Sequence, residues 1–156
     1  MNFCSLADSA YLTKLRVLYH SMRKHAPGAK LYVLALDDKT YRAVAEIDNV
    51  HAITLYALER EQPRLLEAKK SRTQQEYAWL LASVWTAHIF NTIGSQIENL
   101  VYLDTDTRFF SDPTEIYSKY AKYPVSLLPH HFAEKDKIRE STNGFYNVNW
   151  VAVSNF

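Results

Sequence analysis

Two short apolar runs, each halted by aspartates, constrain this chain more than anything else in it. Leu31-Tyr32-Val33-Leu34-Ala35-Leu36 ends on Asp37-Asp38, and Leu100-Val101-Tyr102-Leu103 ends on Asp104-Thr105-Asp106. Neither run has helical spacing, and continuous apolar stretches of this length suit strands buried on both faces of a parallel sheet. In open α/β sheets, ligands bind beyond the carboxyl ends of such strands. Residues two apart on a regular strand share a face, so Asp104 and Asp106 can converge on one point. Two carboxylates that close repel one another, and a divalent cation relieves the conflict. Hard oxygen ligands suit Mg²⁺ or Mn²⁺, which commonly carry substrate phosphates with them. The second run therefore predicts a metal–diphosphate site.

The remaining segments alternate between the two periods. Asn2 to Leu6 reads as a first strand, with Ala7-Asp8-Ser9 as the loop after it. Tyr11 to His25 carries Leu12, Leu15, Val17, Leu18 and Met22 at helical spacing, and Pro27-Gly28 stops it. A short helix is predicted over Tyr41 to Ile47, with Asp37-Asp38 before it as a simple cap or as ligands for nucleotide N–H and O–H groups. A third strand is predicted over Val50 to Leu55. Glu59 to Lys70, charged and interrupted by Pro63, reads as a solvated helix or an ordered loop. Ser71 or Thr73 caps a long helix running to Phe90, and Glu76 gives Thr73 the spacing of a capping box. Trp79 and Trp85 on that helix are read as core. Asp112-Pro113 opens a helix to about Tyr120, Val125 to Leu128 is strand-like, Asn143-Gly144 is a turn, and Phe145 to Val153 is the last strand. The fold class is α/β: a mostly parallel, twisted sheet flanked by helices, forming one domain over residues 1–156. The pattern stops at Phe156 straight after a strand, which predicts a domain incomplete at its C-terminus with an unfinished edge open to self-association.

Eighteen basic and seventeen acidic side chains leave a net charge of +1, which offers no field for nucleic acid. The single Cys4 excludes an internal disulfide and is read as buried and inert. Tyr77 to Ile97 contains no Asp, Glu, Lys or Arg, but its Ser, Thr, His, Asn and Gln residues mark a buried helix rather than a membrane span. A soluble, cytoplasmic protein is expected. His130 and His131 are adjacent, so on an extended segment they point to opposite faces and do not readily share one ion.

Taken together, the order of these segments resembles the N-terminal half of GT-A-fold nucleotide-diphospho-sugar transferases of bacteria, and more distantly the glycogenin-like group. The resemblance rests on Leu31 to Asp38, on Glu76-Tyr77-Ala78-Trp79, and above all on Val101 to Asp106 with Phe110-Ser111-Asp112-Pro113. It implies transfer of a sugar from a nucleotide-diphosphate donor, UDP-linked first among them, to an unidentified sugar, lipid or protein acceptor. It also implies Mn²⁺ or Mg²⁺ on Asp106, with Asp104 on the metal or the ribose and Thr105 between them. The loop Ala7-Asp8-Ser9 with Tyr11 matches the segment that cradles base and ribose. Asp37 stands where a carboxylate meets the nucleotide, and Arg72, with Lys69 and Lys70 as competitors, faces the diphosphate. Asn147 matches an Asn that touches the donor sugar or its neighbours, although Asn149 replaces the glycine that often follows two positions later. No residue is assigned to catalysis itself.

Two other functions fit parts of the pattern. Asp104-Thr105-Asp106-Thr107 also spells the DxDxT of haloacid-dehalogenase-like, Mg²⁺-dependent phosphatases, in which one Asp is the nucleophile and the next an acid/base. Those enzymes need a downstream Lys and a late acidic pair, and no Asp-Asp pair follows Asp106 here. The other reading is a truncated, non-catalytic nucleotide-sugar-binding module.

Overall fold

A computed structural model of the chain describes residues 1–120 and 122–154, so the expectation resting on Phe156 lies outside them. The elements run β1 (Asn2–Ala7), α1 (Leu12–His25), β2 (Lys30–Ala35), α2 (Asp38–Val44), β3 (Val50–Thr54), α3 (Leu55–Glu61) and α4 (Arg64–Lys70). They continue α5 (Gln74–Ile93), β4 (Asn99–Leu103), α6 (Thr114–Tyr120), β5 (Val125–Pro129), α7 (Glu140–Asn143) and β6 (Tyr146–Ser154). The strands form a single sheet in the order β3-β2-β1-β4-β6-β5. Strands β3, β2, β1 and β4 are parallel, while β6 runs antiparallel to both β4 and β5. This is a mixed α/β sheet in which one strand, β6, opposes the rest.

Strand alternation sorts the side chains onto two faces. Phe3, Leu31, Val33, Val101, Leu103, Trp150 and Ala152 pack on one face with Leu15, Leu18 and Met22 of α1. There Phe109 and Tyr117 meet Phe3 edge-on, at ring-centroid distances of 5.4 and 5.8 Å. Tyr117 also donates its hydroxyl to the Asn99 carbonyl at 2.9 Å, tying α6 to the start of β4. Cys4, Tyr32, Leu34, Leu100 and Tyr102 pack on the opposite face against Leu58, Leu65, Leu81, Trp85 and Ile89 of α3, α4 and α5. Each fully buried side chain of this kind contributes roughly 1.5–3 kcal/mol by leaving water. Cys4 is buried, as the sequence suggested, and that burial pushes its thiol up to about 12 against the opposing contact with Thr86.

Several sequence expectations are corrected. Ala7 is the last residue of β1, not a loop residue, and Leu55 opens α3 rather than closing β3. Helix α2 begins at Asp38 because the Asp37 carboxylate accepts from the Thr40 N–H and caps it. The solvated stretch Glu59 to Lys70 is instead two short helices broken at Pro63, and Glu59 is buried. Thr73, not Ser71, caps α5, with Glu76 completing the capping box. Trp79 is not core: it is 61 % exposed, whereas Trp85 is 1 % exposed and donates its indole N–H to the Tyr32 carbonyl. Gly144, at φ 82°, takes a positive-φ backbone conformation that favours glycine just before β6. Among the described residues no helix is long and apolar enough to cross a membrane.

Candidate active site

The carboxyl ends of β1 and β4 open into a cleft of about 1480 Å³, lined by residues of the sheet and of α5. The aspartate corner is fixed from beneath. Thr107 N–H donates to the Asp104 carbonyl at 3.0 Å, so the chain turns immediately after β4. The Thr105 hydroxyl donates to the Leu6 carbonyl at 2.5 Å and lies 3.3 Å from Ser5 Oγ, fastening that turn to β1. Asp104 N–H donates to the Asn149 carbonyl at 3.1 Å, fastening it to β6 as well. Asp104, Thr105 and Asp106 all line the cleft.

The two carboxylates differ in environment. Asp104 continues the Tyr102 side of β4, and the Tyr102 hydroxyl donates to its Oδ1 at 3.1 Å. Burial raises its pKa; the Tyr102 bond opposes this, and the neighbouring Asp106 charge adds to it. The same burial, with the Asp104 charge, pushes the Tyr102 hydroxyl up, so it stays a donor. Asp106 is exposed, and its Oδ2 lies 3.4 Å from Lys14 Nζ, which sits 4.6 Å above the Tyr11 ring. Two acids thus share a rim, and the Lys14 ammonium meets the outer one. Among the described residues no group of three or more His, Cys, Asp and Glu side chains gathers. That donor set fits a hard cation held by one or two carboxylates and completed by water and substrate phosphate, as Mg²⁺ and Mn²⁺ commonly are.

The loop after β1 supplies a second wall. Asp8 Oδ1 accepts from the Ala10 and Tyr11 N–H groups at 3.0 and 3.2 Å, which fixes the turn that presents Tyr11 to the cleft. Ala7, Asp8 and Tyr11 line the cleft; Asp37 does not. Its carboxylate instead accepts from Ser9 N–H and Thr40 N–H, both at 2.7 Å, and so joins the loop to the cap of α2. Partial burial works against its ionisation, but these bonds outweigh that and hold its pKa down at about 2.

Arg72 and Lys69 line the entrance to α5. Arg72 Nη1 donates to the Ala68 carbonyl at 2.9 Å and forms no hydrogen bond to Glu67 or Glu76. Lys69 donates to Glu59 at 2.8 Å, and the Tyr77 hydroxyl donates to the same oxygen at 2.9 Å. Lys70 turns away to Glu67 at 2.8 Å. Asn147 does not line the cleft, and its Oδ1 accepts from Asn149 N–H at 3.0 Å. A register shift between β5 and β6 at this point puts Val148 on the cleft wall instead. His130 stacks on Phe132 at 4.5 Å, away from the cleft. Sequence reasoning did not single out Lys14, the Glu59–Lys69–Tyr77 contact or the cleft position of Trp79. Only Lys14 left a signal, being one helical turn from Tyr11.

No protein-family model matches the chain. It is 29 % identical over 154 residues to the uncharacterized protein YfnD of Bacillus subtilis (strain 168), covering 99 % of this chain and 49 % of YfnD. It is 23 % identical over 158 residues to the uncharacterized protein YfnF of the same strain, covering 96 % of this chain and 51 % of YfnF. The chain thus spans about half the length of these relatives. Among solved structures it is similar to mouse xyloside xylosyltransferase 1, with a TM-score of 0.64, 12 % identity, and coverage of 99 % of this chain and 67 % of that one. It is also similar to the galactosyltransferase LgtC bound to donor and acceptor sugar analogs, with a TM-score of 0.63, 17 % identity, and coverage of 99 % and 58 %. The six-stranded α/β architecture is the fold of GT-A glycosyltransferases.

Proposed function

We propose that this chain is the donor-binding part of a metal-dependent glycosyltransferase that moves a sugar from a nucleotide-diphosphate donor, UDP-linked first, to an acceptor. One observation carries the reading: Asp104 and Asp106, at the end of β4, line the same cleft as Asp8, Tyr11 and Arg72. Each group has a part in it. Asp104, oriented by Tyr102, and Asp106 hold a Mn²⁺ or Mg²⁺ ion. Asp8 and Tyr11 receive base and ribose, and Asp37 holds their loop against α2. Arg72, with Lys69 beside it, faces the diphosphate. When bound, the cation offsets the charge that the departing nucleoside diphosphate gains as the glycosidic bond breaks. The protein's contribution is a preset arrangement of charges around that leaving group. The fold shared with sugar transferases favours this reading over the DxDxT phosphatase, whose late acidic pair has no counterpart among the described residues near Asp104.

Thermal unfolding with Mn²⁺ and UDP-, GDP- or CMP-linked sugars tests the proposal, because a ligand specific for the folded state raises the midpoint. A diphosphate-linked donor should raise it, while a CMP-linked sugar, having no diphosphate, should not. The shift should vanish with EDTA and in Asp106→Asn. A shift that persists in Asp106→Asn overturns the assignment.

A further inference from the structure

The cleft holds one large group that diphosphate binding leaves unused. Trp79 lines it with 61 % of its surface exposed, while the other two tryptophans, Trp85 and Trp150, are 1 % and 9 % exposed. Helix geometry fixes its level. Thr86 Oγ1 lies 3.6 Å from Cys4 Sγ, and Cys4 is in register with Tyr102. Trp79 precedes Thr86 by two turns, about 10 Å along the axis, toward the end of α5 that shares the cleft with Asp104. Asp104 lies two residues past Tyr102, about 7 Å along β4. Indole and aspartates therefore stand at the same rim, within a few ångströms in level.

The stripe of helix residues that lines the cleft around the indole is uncharged: Gln75 one turn before it, Ala78 beside it, and Ala82 and Ser83 one turn after. Phosphates are drawn to cations and a metal, so this stripe suits an uncharged, hydroxyl-rich ligand. We propose that Trp79 is the stacking platform for a pyranose ring of the saccharide bound in this cleft. The inference rests on reading the cleft as a nucleotide-sugar site. A pyranose presents one face of C–H groups and a rim of hydroxyls. The indole meets the first with a rigid, electron-rich face. The Gln75 amide and Ser83 hydroxyl offer donors and acceptors to the second.

Trp79 is the one exposed indole, so its emission reports on this position. Emission is followed while UDP, UDP-glucose, UDP-galactose, GDP and GDP-mannose are titrated with Mn²⁺ present, and calorimetry gives the affinity of each. A nucleotide sugar should shift the emission more than its parent diphosphate, and Trp79→Phe should lose that signal. The ratio of nucleotide-sugar to diphosphate affinity should fall about three- to ten-fold in Trp79→Ala, the scale of one aromatic stacking contact, and recover largely in Trp79→Phe. An unchanged ratio in Trp79→Ala, or a full emission change from UDP or GDP alone, overturns the platform. If the diphosphates bind only with Mn²⁺ and need Asp106 while that ratio stays fixed, the platform fails alone. If no diphosphate binds the wild type, both readings fall.

Discussion

The two faces of the sheet share the same strands and are finished differently. On one face, α1 and α6 close over Phe3, Val33 and Leu103, all essentially inaccessible to water, and Phe109 seals the end. On the other, α5 covers β1, β2 and β4 but leaves β6 and β5 open. Val151 and Val153 are only partly buried there, and Val148 and Val125 are more than half exposed. Asp104 and Asp106 stand where that cover ends. The closed face accounts for much of the packing that holds the domain together, and the open face carries the candidate chemistry. Ligand clefts commonly combine an apolar wall with a few convergent polar groups in this way.

Substitutions graded by face sharpen the contrast. Phe3→Ala, on the closed face, should cost about 3–5 kcal/mol, read as a lower urea midpoint. Asp37→Ala, beneath the binding loop, should cost about 1–2 kcal/mol at pH 7 through the lost cap. Its pH dependence has a definite sign. Because the folded pKa lies near 2, below the ordinary aspartate value of 3.8, the carboxylate's contribution is present above about pH 4 and fades as pH falls toward 2. Wild type and Asp37→Ala should therefore converge in stability over that interval, and a constant gap would refute the assigned cause. Thr73→Ala should cost about 1 kcal/mol by opening the capping box at the cleft end of α5. Val125→Lys, on the open face, should change stability by no more than about 0.5 kcal/mol. A loss as large as that of Phe3→Ala would mean the face is covered.

The closed half of this design was readable from residue order. Strands buried on both faces read as continuous apolar runs, so Leu31 to Ala35 and Leu100 to Leu103 announced β2 and β4, and the aspartates that follow them marked their ends. The open half was not. The stretch from Tyr77 to Phe90 lacks Asp, Glu, Lys and Arg on two different sides, since Trp85 and Ile89 pack inward while Trp79 and Ser83 face the cleft. An uncharged surface looks the same in sequence whether a core or a cleft lies against it. Glu59 was misjudged for the converse reason: its partners Lys69 and Tyr77 lie ten and eighteen residues away, with no periodicity to link them. Asn147 was matched by position, but the register shift in β6 turns its side chain to its own backbone.

The cation-dependent grip on diphosphate is most directly measured by calorimetric titration of UDP and GDP, with and without Mn²⁺, into wild type, Asp104→Asn and Asp106→Asn. Binding of one of them that requires Mn²⁺ in the wild type and disappears in both variants is the expected result. Equal affinity in all three proteins, or indifference to Mn²⁺, would contradict it.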